Sequence, residues 1–271
     1  DLVHAHLSEI WVDRALSGLK KEIPWIATVH NDDRDDPWLR HKARGFALRH
    51  AKTVTCVSRS VATYVKKEFR IPSSHLSIIR NGIDLSRVTK RRPVEFHDPW
   101  RLISVGRLAK QKDQATLLKA VARLPFRWSL DLLGQGEERD ALESLARILG
   151  IADRVHFRGL VDDVSERLAQ ADVFCFPSRW EGQGIALLEA AAANLPVLAS
   201  DLPVFRESFD VSSMSFAAPH DPLAWSRALL FMRKNQKEAL KKAMLAEKIV
   251  KKELTIKQMV DGYVRLYKTL I

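Results

Sequence analysis

Two glutamates, Glu181 and Glu189, stand at the ends of the stretch EGQGIALLE. If a helix begins near Gly184, Glu189 shares its helix face with Ile185 and Ala186. An ionised carboxylate on such an apolar face is costly unless a partner hydrogen-bonds to it. A carboxylate can accept from both hydroxyls of a diol, and the first-turn amides of a helix can donate to a phosphate. The stretch therefore predicts a site for a hydroxyl-rich, phosphate-bearing ligand, and the alternative is that Glu189 pairs with a buried Arg or Lys.

Three cations stand where a helix is predicted to begin. Arg107, Lys110 and Lys112 follow the apolar run LISVG and precede a helix that should start at Asp113. The helix dipole disfavours a cation at this end by roughly 0.3–1 kcal/mol each. The arrangement becomes favourable if an anion bridges the cations and the free amides. We therefore predict an anion site here, with a solvated basic loop as the alternative.

Two further turns follow strand-like runs of the same part of the chain. Gly134 and Gly136 begin a partial G-x-G-x-x-G pattern, in which Arg139 replaces the third glycine. This pattern alone is weak for a dinucleotide site, and it favours a simple turn. Arg158 and Gly159 form another turn after the run VHF.

Short apolar runs alternate with helical patterns along the whole chain, which predicts parallel sheets built from βαβ units. One α/β series covers residues 1–85, a polar linker covers 86–99, and a second series covers 100–254. In parallel sheets ligands bind beyond the C-terminal strand ends, where the turns described above fall. A final amphipathic helix, 255–271, starts with a capping box formed by Thr255 and Gln258.

The composition limits the class of protein. The chain has 271 residues, 46% of them hydrophobic, and a net charge of +11. No stretch reaches the roughly 18 apolar residues that a membrane-spanning helix needs. The chain begins with Asp, and we expect that it starts inside a longer protein. Cys56 and Cys175 lie in apolar, strand-like runs and are predicted to be buried, reduced thiols of a cytoplasmic protein.

The positive charge is concentrated between Pro37 and Lys67, where eight Lys or Arg residues stand without an acidic one. Such a block suits a polyanion or an anionic lipid surface, and the alternative is an ordinary solvated face. Nucleic acid is a weak candidate because no zinc spacing or stacking motif accompanies the charge. Just before this block, residues 32–36 contain an Asp-x-Asp spacing, which we interpret as the start of a helix and not as a metal site.

These stretches together resemble family 4 of the retaining glycosyltransferases, whose GT-B fold consists of two Rossmann-like domains. The Glu-x7-Glu pattern is met by Glu181 and Glu189. The likeness covers nearly the whole chain and also rests on other stretches: CVSRSVATYV, IIRNGID, VGRLAKQKDQATLLKAVA, LLGQGEERDALESLA, VHFRGLVDDVSERLAQADVF, FPSRW and AAAANLPVLASDLP.

The resemblance implies a role for each site residue. Arg107 and Lys112 should hold the donor diphosphate, Glu189 the ribose hydroxyls, and Glu181 the transferred sugar. His30, at the end of the run WIATVH, matches the active-site histidine of the family; its alternative is a strand-end histidine with a local hydrogen bond. His4 and His6 also lie at a strand end, but we rank them lower. The remaining donor-site residues implied by the resemblance are Gly106, Arg158, Gly159, Gly182, Gln183, Gly184, Ile185 and Ala186.

The resemblance also implies the reaction. We expect a nucleotide-sugar-dependent, retaining transferase that uses donors of the UDP or GDP type and needs neither cofactor nor metal. A glycan or lipid-linked acceptor of bacterial surface polysaccharide assembly is expected, with the enzyme docked on the inner face of the plasma membrane. The alternatives are a non-catalytic nucleotide- or polyanion-binding GT-B fragment and a GT-B phosphorylase or epimerase relative.

Two departures from the family pattern are visible. Gln183 stands where the family often has an aromatic residue, so the way in which the transferred sugar is held can differ. The first strands and the glycine-rich loop of the family's N-terminal domain have no counterpart before the DLVHAH segment. We therefore expect an incomplete N-terminal domain with an exposed sheet edge.

Overall fold

The computed structural model describes residues 1–6, 24–32, 37–91 and 96–270. The chain forms two compact units, each described here by itself. The first contains Asp1–Gly82, Glu181–Gln183 and Leu254–Ile271, and the second contains Ile83–Trp180 and Gly184–Glu253. The helix predicted between the first two strands, residues 33–36 of the acidic loop and residues 92–95 of the linker lie outside the described residues.

The first unit contains a four-stranded parallel sheet whose strands lie side by side in the order in which they occur along the chain. Ile26 and Val54 pack in its core without solvent exposure. The capping box is confirmed, because the Thr255 amide donates to Gln258 Oε1 over 3.0 Å and the Gln258 amide donates to Thr255 Oγ1 over 3.4 Å. The elements are β1 (Val3–His6), β2 (Trp25–Val29), α1 (Trp38–His50), β3 (Thr53–Cys56), α2 (Arg59–Phe69), β4 (Leu76–Ile78) and the last helix, α10 (Ile256–Leu270).

The second unit contains a six-stranded parallel sheet. Trp100 and Trp128 stand side by side at the start of two neighbouring strands, and both are buried. Its elements are β5 (Trp100–Val105), α3 (Gln114–Val121), β6 (Trp128–Leu133), α4 (Arg139–Ile148), β7 (Val155–Gly159), α5 (Val164–Gln170), β8 (Val173–Phe176), α6 (Ile185–Ala192), β9 (Val197–Ser200), α7 (Pro203–Arg206), β10 (Ser215–Ala217), α8 (Pro222–Lys234) and α9 (Gln236–Glu253).

The strand order of this second sheet reverses at one place. The strand order across the sheet is β10-β9-β8-β5-β6-β7. From β5 the chain continues to β6 and β7 on one side, and it then returns to β8, β9 and β10 on the other side. Open α/β sheets bind ligands in the crevice that forms at such a switch point, outside the C-terminal strand ends. The predicted cations follow β5, and α6, which carries Glu189, is the helix that follows β8, so within the second unit both elements begin at this switch point.

The two cysteines behave as predicted. Cys56, the last residue of β3, and Cys175, within β8, are free and buried. Burial raises the pKa of Cys56 to about 12 and also raises the pKa of Cys175. Both thiols are therefore protonated and unreactive at neutral pH.

Among the described residues, no helix is both long enough and apolar enough to cross a bilayer.

Candidate functional site

The loop after β5 brings its lysine to the switch point. Gly106 has a φ of +153°, and a Cβ added there would lie 3.3 Å from Cε of Lys112, so the lysine stem packs directly over the glycine. The Lys112 ammonium lies 4.8 Å from the ring centroid of Phe176, the last residue of β8. Lys112 therefore lies between the ends of β5 and β8. Helix α3 begins at Gln114, immediately after Asp113, which confirms the predicted helix start.

A cleft of about 370 Å³ opens beside this loop, and we call it the glycine cleft. Gly134 has a φ of +134°, and a Cβ there would lie 2.1 Å from the carbonyl oxygen of Gly106. The Gly134 amide donates to the Gly159 carbonyl over 2.8 Å. The glycines thus allow three loops to touch, which confirms the turn interpretation of the partial glycine pattern. The cleft is lined by Val105, Gly106, Arg107, Leu133, Gly134, Gln135, Gly159, Leu160, Val161 and Val164.

Arg158 is expected from the resemblance to contact the donor together with Gly159, but its side chain does not line the glycine cleft. Its guanidinium pairs with the Asp131 carboxylate, with Nη2 and Oδ1 3.1 Å apart, and lines a separate polar cleft. The pairing of β7 with β6 is irregular at this point, since Leu132 pairs with Phe157 and Leu133 with Gly159. Gly159 lines the glycine cleft while the Arg158 side chain lines the polar one, and the donor contacts of both residues stay predictions.

Helix α6, which carries Glu189, begins at a position that only glycine suits well. Gly184 has a φ of +80°, and a Cβ there would lie 3.0 Å from the rings of Phe176 and Phe205. Intrahelical bonding starts with Leu187, whose amide donates to the Gly184 carbonyl over 3.0 Å. By helix geometry, the amides before Leu187 have no acceptor within the helix. The predicted helix start near Gly184 is confirmed.

Glu189 lies one turn further along α6 and is half-buried. Desolvation raises the pKa of its carboxyl, and the positive charge of Arg87 opposes that rise. Within the described ranges, no Lys, Arg or His nitrogen lies within 4.0 Å of this carboxylate. The alternative of an ion pair with a buried cation is therefore not found there, and the carboxylate remains available to a ligand.

The first unit holds the histidines. His30 lies at the end of β2, and its Nε2 is 3.0 Å from Nδ1 of His6. His4 stacks against His6 with 3.9 Å between the ring centroids. Burial lowers the pKa of His30 and of His6. Burial, followed by the charges of the other two histidines, lowers the pKa of His4 to about 4. All three imidazoles are therefore neutral at pH 7.

His4 connects this cluster to the last helix. Its Nδ1 is 2.6 Å from the hydroxyl of Tyr267, and its Nε2 is 2.7 Å from the hydroxyl of Thr28. The sequence ranks His4 and His6 below His30, but the three side chains form one cluster of neighbouring imidazoles. The signal was present in the sequence, because residues i and i+2 of a strand share a face and parallel strands end at one edge.

The stretch Glu181–Gln183 packs within the same unit. A Cβ at Gly182 would lie 1.7 Å from the His30 carbonyl oxygen, so no larger residue fits there. The buried Gln183 side chain bonds the backbone of Asn81 at both ends: its Nε2 donates to the Asn81 carbonyl over 3.0 Å, and its Oε1 accepts from the Asn81 amide over 2.6 Å. The Gln183 amide thus holds this turn through one donated and one accepted bond, and its contact with a ligand stays a prediction.

The acidic loop is described only as far as Asp32, which is buried. Helix α1 begins at Trp38, directly after Pro37. Among the described residues, no group of three or more His, Cys, Asp or Glu side chains is arranged to hold a metal ion.

Two units with parallel α/β sheets are the architecture of the GT-B glycosyltransferases, and the family models assign the chain to that class. Residues 86–249 match the family model described as glycosyl transferases group 1, and residues 1–87 match the model described as glycosyltransferase family 4. The chain belongs to this family, as the sequence resemblance predicted.

Relatives of known sequence and structure agree. The chain is 36% identical over 160 residues to LpsE of Rhizobium meliloti, a lipopolysaccharide core biosynthesis glycosyltransferase, covering 56% of this chain and 45% of LpsE. It is 30% identical over 228 residues to an uncharacterized glycosyltransferase of Methanocaldococcus jannaschii, covering 74% and 58%. The chain therefore matches about half the length of these relatives.

A solved structure shows the same fold. The Anabaena protein HepE, crystallised with UDP and glucose, superposes with a TM-score of 0.89 at 17% identity, covering 99% of this chain and 78% of HepE. The predicted GT-B fold with two parallel sheets is confirmed.

Proposed function

We propose that the protein transfers a sugar, with retention of the anomeric configuration, from a nucleoside-diphosphate sugar to a glycan or lipid-linked acceptor. The observation that carries the proposal is the half-buried carboxylate of Glu189, which has no ion-pair partner among the described residues and stands on the helix that opens at the switch point. A buried charge of this kind is costly unless a ligand hydrogen-bonds to it.

The donor is proposed to lie across the second unit. The glycine cleft has apolar walls and Arg107 on its lining, which suits a flat base joined to a phosphate. The diphosphate would meet Arg107, Lys112 and the first-turn amides of Ile185 and Ala186. Glu189 would accept from the two ribose hydroxyls. The complex of HepE with UDP and glucose supports a donor of this type.

The chemistry then requires positioning and charge stabilisation more than a protein nucleophile. As the bond from the anomeric carbon to the diphosphate breaks, negative charge develops on the departing phosphate. Lys112 and Arg107 would stabilise that charge, and a preorganised charge in a water-poor site acts strongly. The acceptor would attack from the face that the diphosphate leaves, so the configuration is retained. In the first unit, Glu181 and His30 are proposed to contact the transferred sugar.

A donor screen tests the proposed function. The full-length protein is incubated with a panel of UDP- and GDP-sugars, donor hydrolysis and transfer are measured, and the anomer of the product is assigned by NMR. We expect one donor to be turned over to an α-linked product from an α-linked donor. Turnover that requires free phosphate would identify a phosphorylase instead, and nucleotide binding without turnover of any donor would identify a binding module.

A surface of the first unit supports the membrane part of the proposal. On α1, three large apolar side chains are exposed: Trp38 by 65%, Leu39 by 69% and Phe46 by 49%. Lys42 Nζ lies 4.1 Å from the ring centroid of Trp38. Aromatic and basic side chains on one exposed helix are typical of docking on anionic lipid. We propose that this helix holds the enzyme on the inner face of the plasma membrane, where a lipid-linked acceptor would be presented. The role of LpsE in lipopolysaccharide core biosynthesis is consistent with such an acceptor.

Vesicle co-sedimentation tests the membrane surface. The wild-type protein should sediment with vesicles that contain phosphatidylglycerol and much less with neutral vesicles. The double variant Trp38→Ser, Lys42→Glu should lose this binding, because it removes an aromatic anchor and reverses a charge. Ile148→Ser is the control, since Ile148 is 82% exposed on the second unit and should not contribute. Equal binding to neutral and anionic vesicles, or unchanged binding of the double variant, would refute the surface.

A further inference from the structure

Asp113, directly after Lys112, holds an unfavourable backbone conformation. Its φ of 48° and ψ of 40° lie in the left-handed region, which non-glycine residues seldom adopt. Glycine would take this conformation without strain. Asp113 is only 5% exposed, so its carboxylate is buried at the start of α3. A strained, buried acid in place of glycine indicates that the carboxylate has a role that offsets the strain.

Three side chains bond this carboxylate. His220 Nδ1 lies 2.7 Å from Asp113 Oδ2, and the Thr116 hydroxyl donates to the same oxygen over 2.9 Å. Arg179 Nε lies 3.5 Å from it. His220 also has a left-handed backbone, with a φ of 60°. Two non-glycine residues in this region therefore meet through one short contact, which fixes the conformation of both.

The loop is tied to the end of β8 on the other side of Lys112 as well. The Arg179 amide donates to the Gln111 carbonyl over 2.8 Å, and the Gln111 side-chain amide donates to the Trp180 carbonyl over 2.9 Å. Lys112 thus stands between two anchored neighbours, Gln111 and Asp113. Its stem packs on Gly106, and its ammonium lies beside the ring of Phe176.

We propose that Asp113, clamped by His220 and Arg179, is a positioning residue for the Lys112 ammonium. The inference rests on the proposed function, in which Lys112 meets the donor diphosphate. The carboxylate holds the backbone that directs Lys112 toward the switch point, and it does not itself contact the donor. Because charge stabilisation depends on distance, a small displacement of Lys112 should lower the rate of transfer.

The variant Asp113→Gly tests this proposal, because glycine keeps the left-handed backbone accessible while the carboxylate is lost. We expect kcat for transfer to fall about 10-fold to 100-fold, the effect that displacement of a catalytic group produces. The melting temperature should change little, since relief of backbone strain offsets the lost hydrogen bonds. Asp113→Asn, which can still accept from His220, should recover most of kcat. Arg70→Gly is the control, because Arg70 has a similar φ of 55° on the exposed end of α2.

His220→Gly is a second variant that reaches the same clamp from the other side. It should lower kcat in parallel with Asp113→Gly and leave the KM for donor less affected than kcat. If kcat of both glycine variants equals that of the wild type while Lys112→Ala is impaired, the positioning role is wrong and the proposed function stands. If Lys112→Ala also retains wild-type kcat, the assignment of the diphosphate site to Lys112 fails, whereas the proposed function itself fails only if the wild type turns over no donor. Parallel losses of melting temperature and activity without recovery in Asp113→Asn would show a merely structural role.

Discussion

Replacing Lys112 by alanine should lower kcat for sugar transfer by about 100-fold to 1000-fold, the loss seen when one preorganised electrostatic group is removed. The ammonium stands at the switch point, 4.8 Å from the Phe176 ring centroid, where the departing diphosphate is proposed to lie. Folding should be retained, because the truncation affects one half-buried side chain whose cation–π contact is worth about 0.5–2 kcal/mol. Steady-state kinetics with the donor found by the screen, together with thermal unfolding, measures both effects.

Lys110→Ala is the matched control for this prediction. Lys110 belongs to the same short turn, Lys110–Lys112, but its side chain is exposed. Its removal changes the net charge of the loop by the same amount, so a general electrostatic effect would appear in both variants. Equal activity of the Lys112→Ala variant and the wild type, in a folded protein, would contradict the assignment of the diphosphate site.

The substitution Glu189→Gln should have opposite effects on binding and on stability. The affinity for the nucleotide should fall by about 10-fold to 100-fold, because hydrogen bonds to a charged group contribute roughly 1.5–3 kcal/mol. The free energy of unfolding at pH 7 should stay equal or increase, because the substitution removes a half-buried charge with no ion-pair partner among the described residues. Isothermal titration calorimetry with UDP and GDP and thermal unfolding measure the two quantities.

The pH dependence of stability tests whether the half-buried charge of Glu189 is the reason for this expected change in the free energy of unfolding. Burial raises the pKa of Glu189 above its ordinary value of 4.5, so the folded state binds the proton more tightly than the unfolded state. The stabilisation from this proton is present below pH 4.5 and is lost as the pH rises through the folded pKa. The gap in melting temperature between Glu189→Gln and the wild type should therefore widen as the pH rises from 4.5 through the folded pKa and then stay constant.

Glu137→Gln provides the comparison for both measurements. Glu137 is exposed in the turn that follows the glycine cleft, so its replacement should change neither affinity nor stability much. A Glu189→Gln variant that binds nucleotide as the wild type does would remove Glu189 from the site. A clear loss of stability at pH 7 would show that the carboxylate is held by the protein itself.

The strands, the helices and the helix starts could be predicted from the sequence because each is marked by residues that lie close together in the chain. Alternating apolar runs and helical periods predicted parallel sheets, and the starts of α3 and α6 were marked by Asp113 and Gly184, whose backbones are both left-handed. The loop that carries Lys112 and the start of α6 both lie against Phe176, because parallel strands end at one edge of the sheet. These features depend on residues that are close in the sequence or on general rules of topology.

Several contacts of the site are not encoded in any local pattern. Gln183 bonds to Asn81, which is 102 positions away, and Asp113 bonds to His220 on a different loop. A polar residue in a turn can bond to any backbone group that the fold brings near, so its sequence neighbours do not identify the partner. The separation of Arg158 from Gly159 likewise depends on the irregular register between β6 and β7, which no sequence pattern marks.

Nucleotide binding to the wild-type protein and to Lys112→Ala tests most directly the central claim that Lys112 holds the diphosphate of the donor. Calorimetry would compare UDP with uridine, and GDP with guanosine, on the wild-type protein and on Lys112→Ala. If the second unit holds the diphosphate of a nucleotide sugar through Lys112, one diphosphate binds much more tightly than its nucleoside to the wild type, and most of that advantage disappears in the variant. An advantage of the diphosphate that is the same in both proteins, or no binding of either nucleotide to the wild type, would contradict the account.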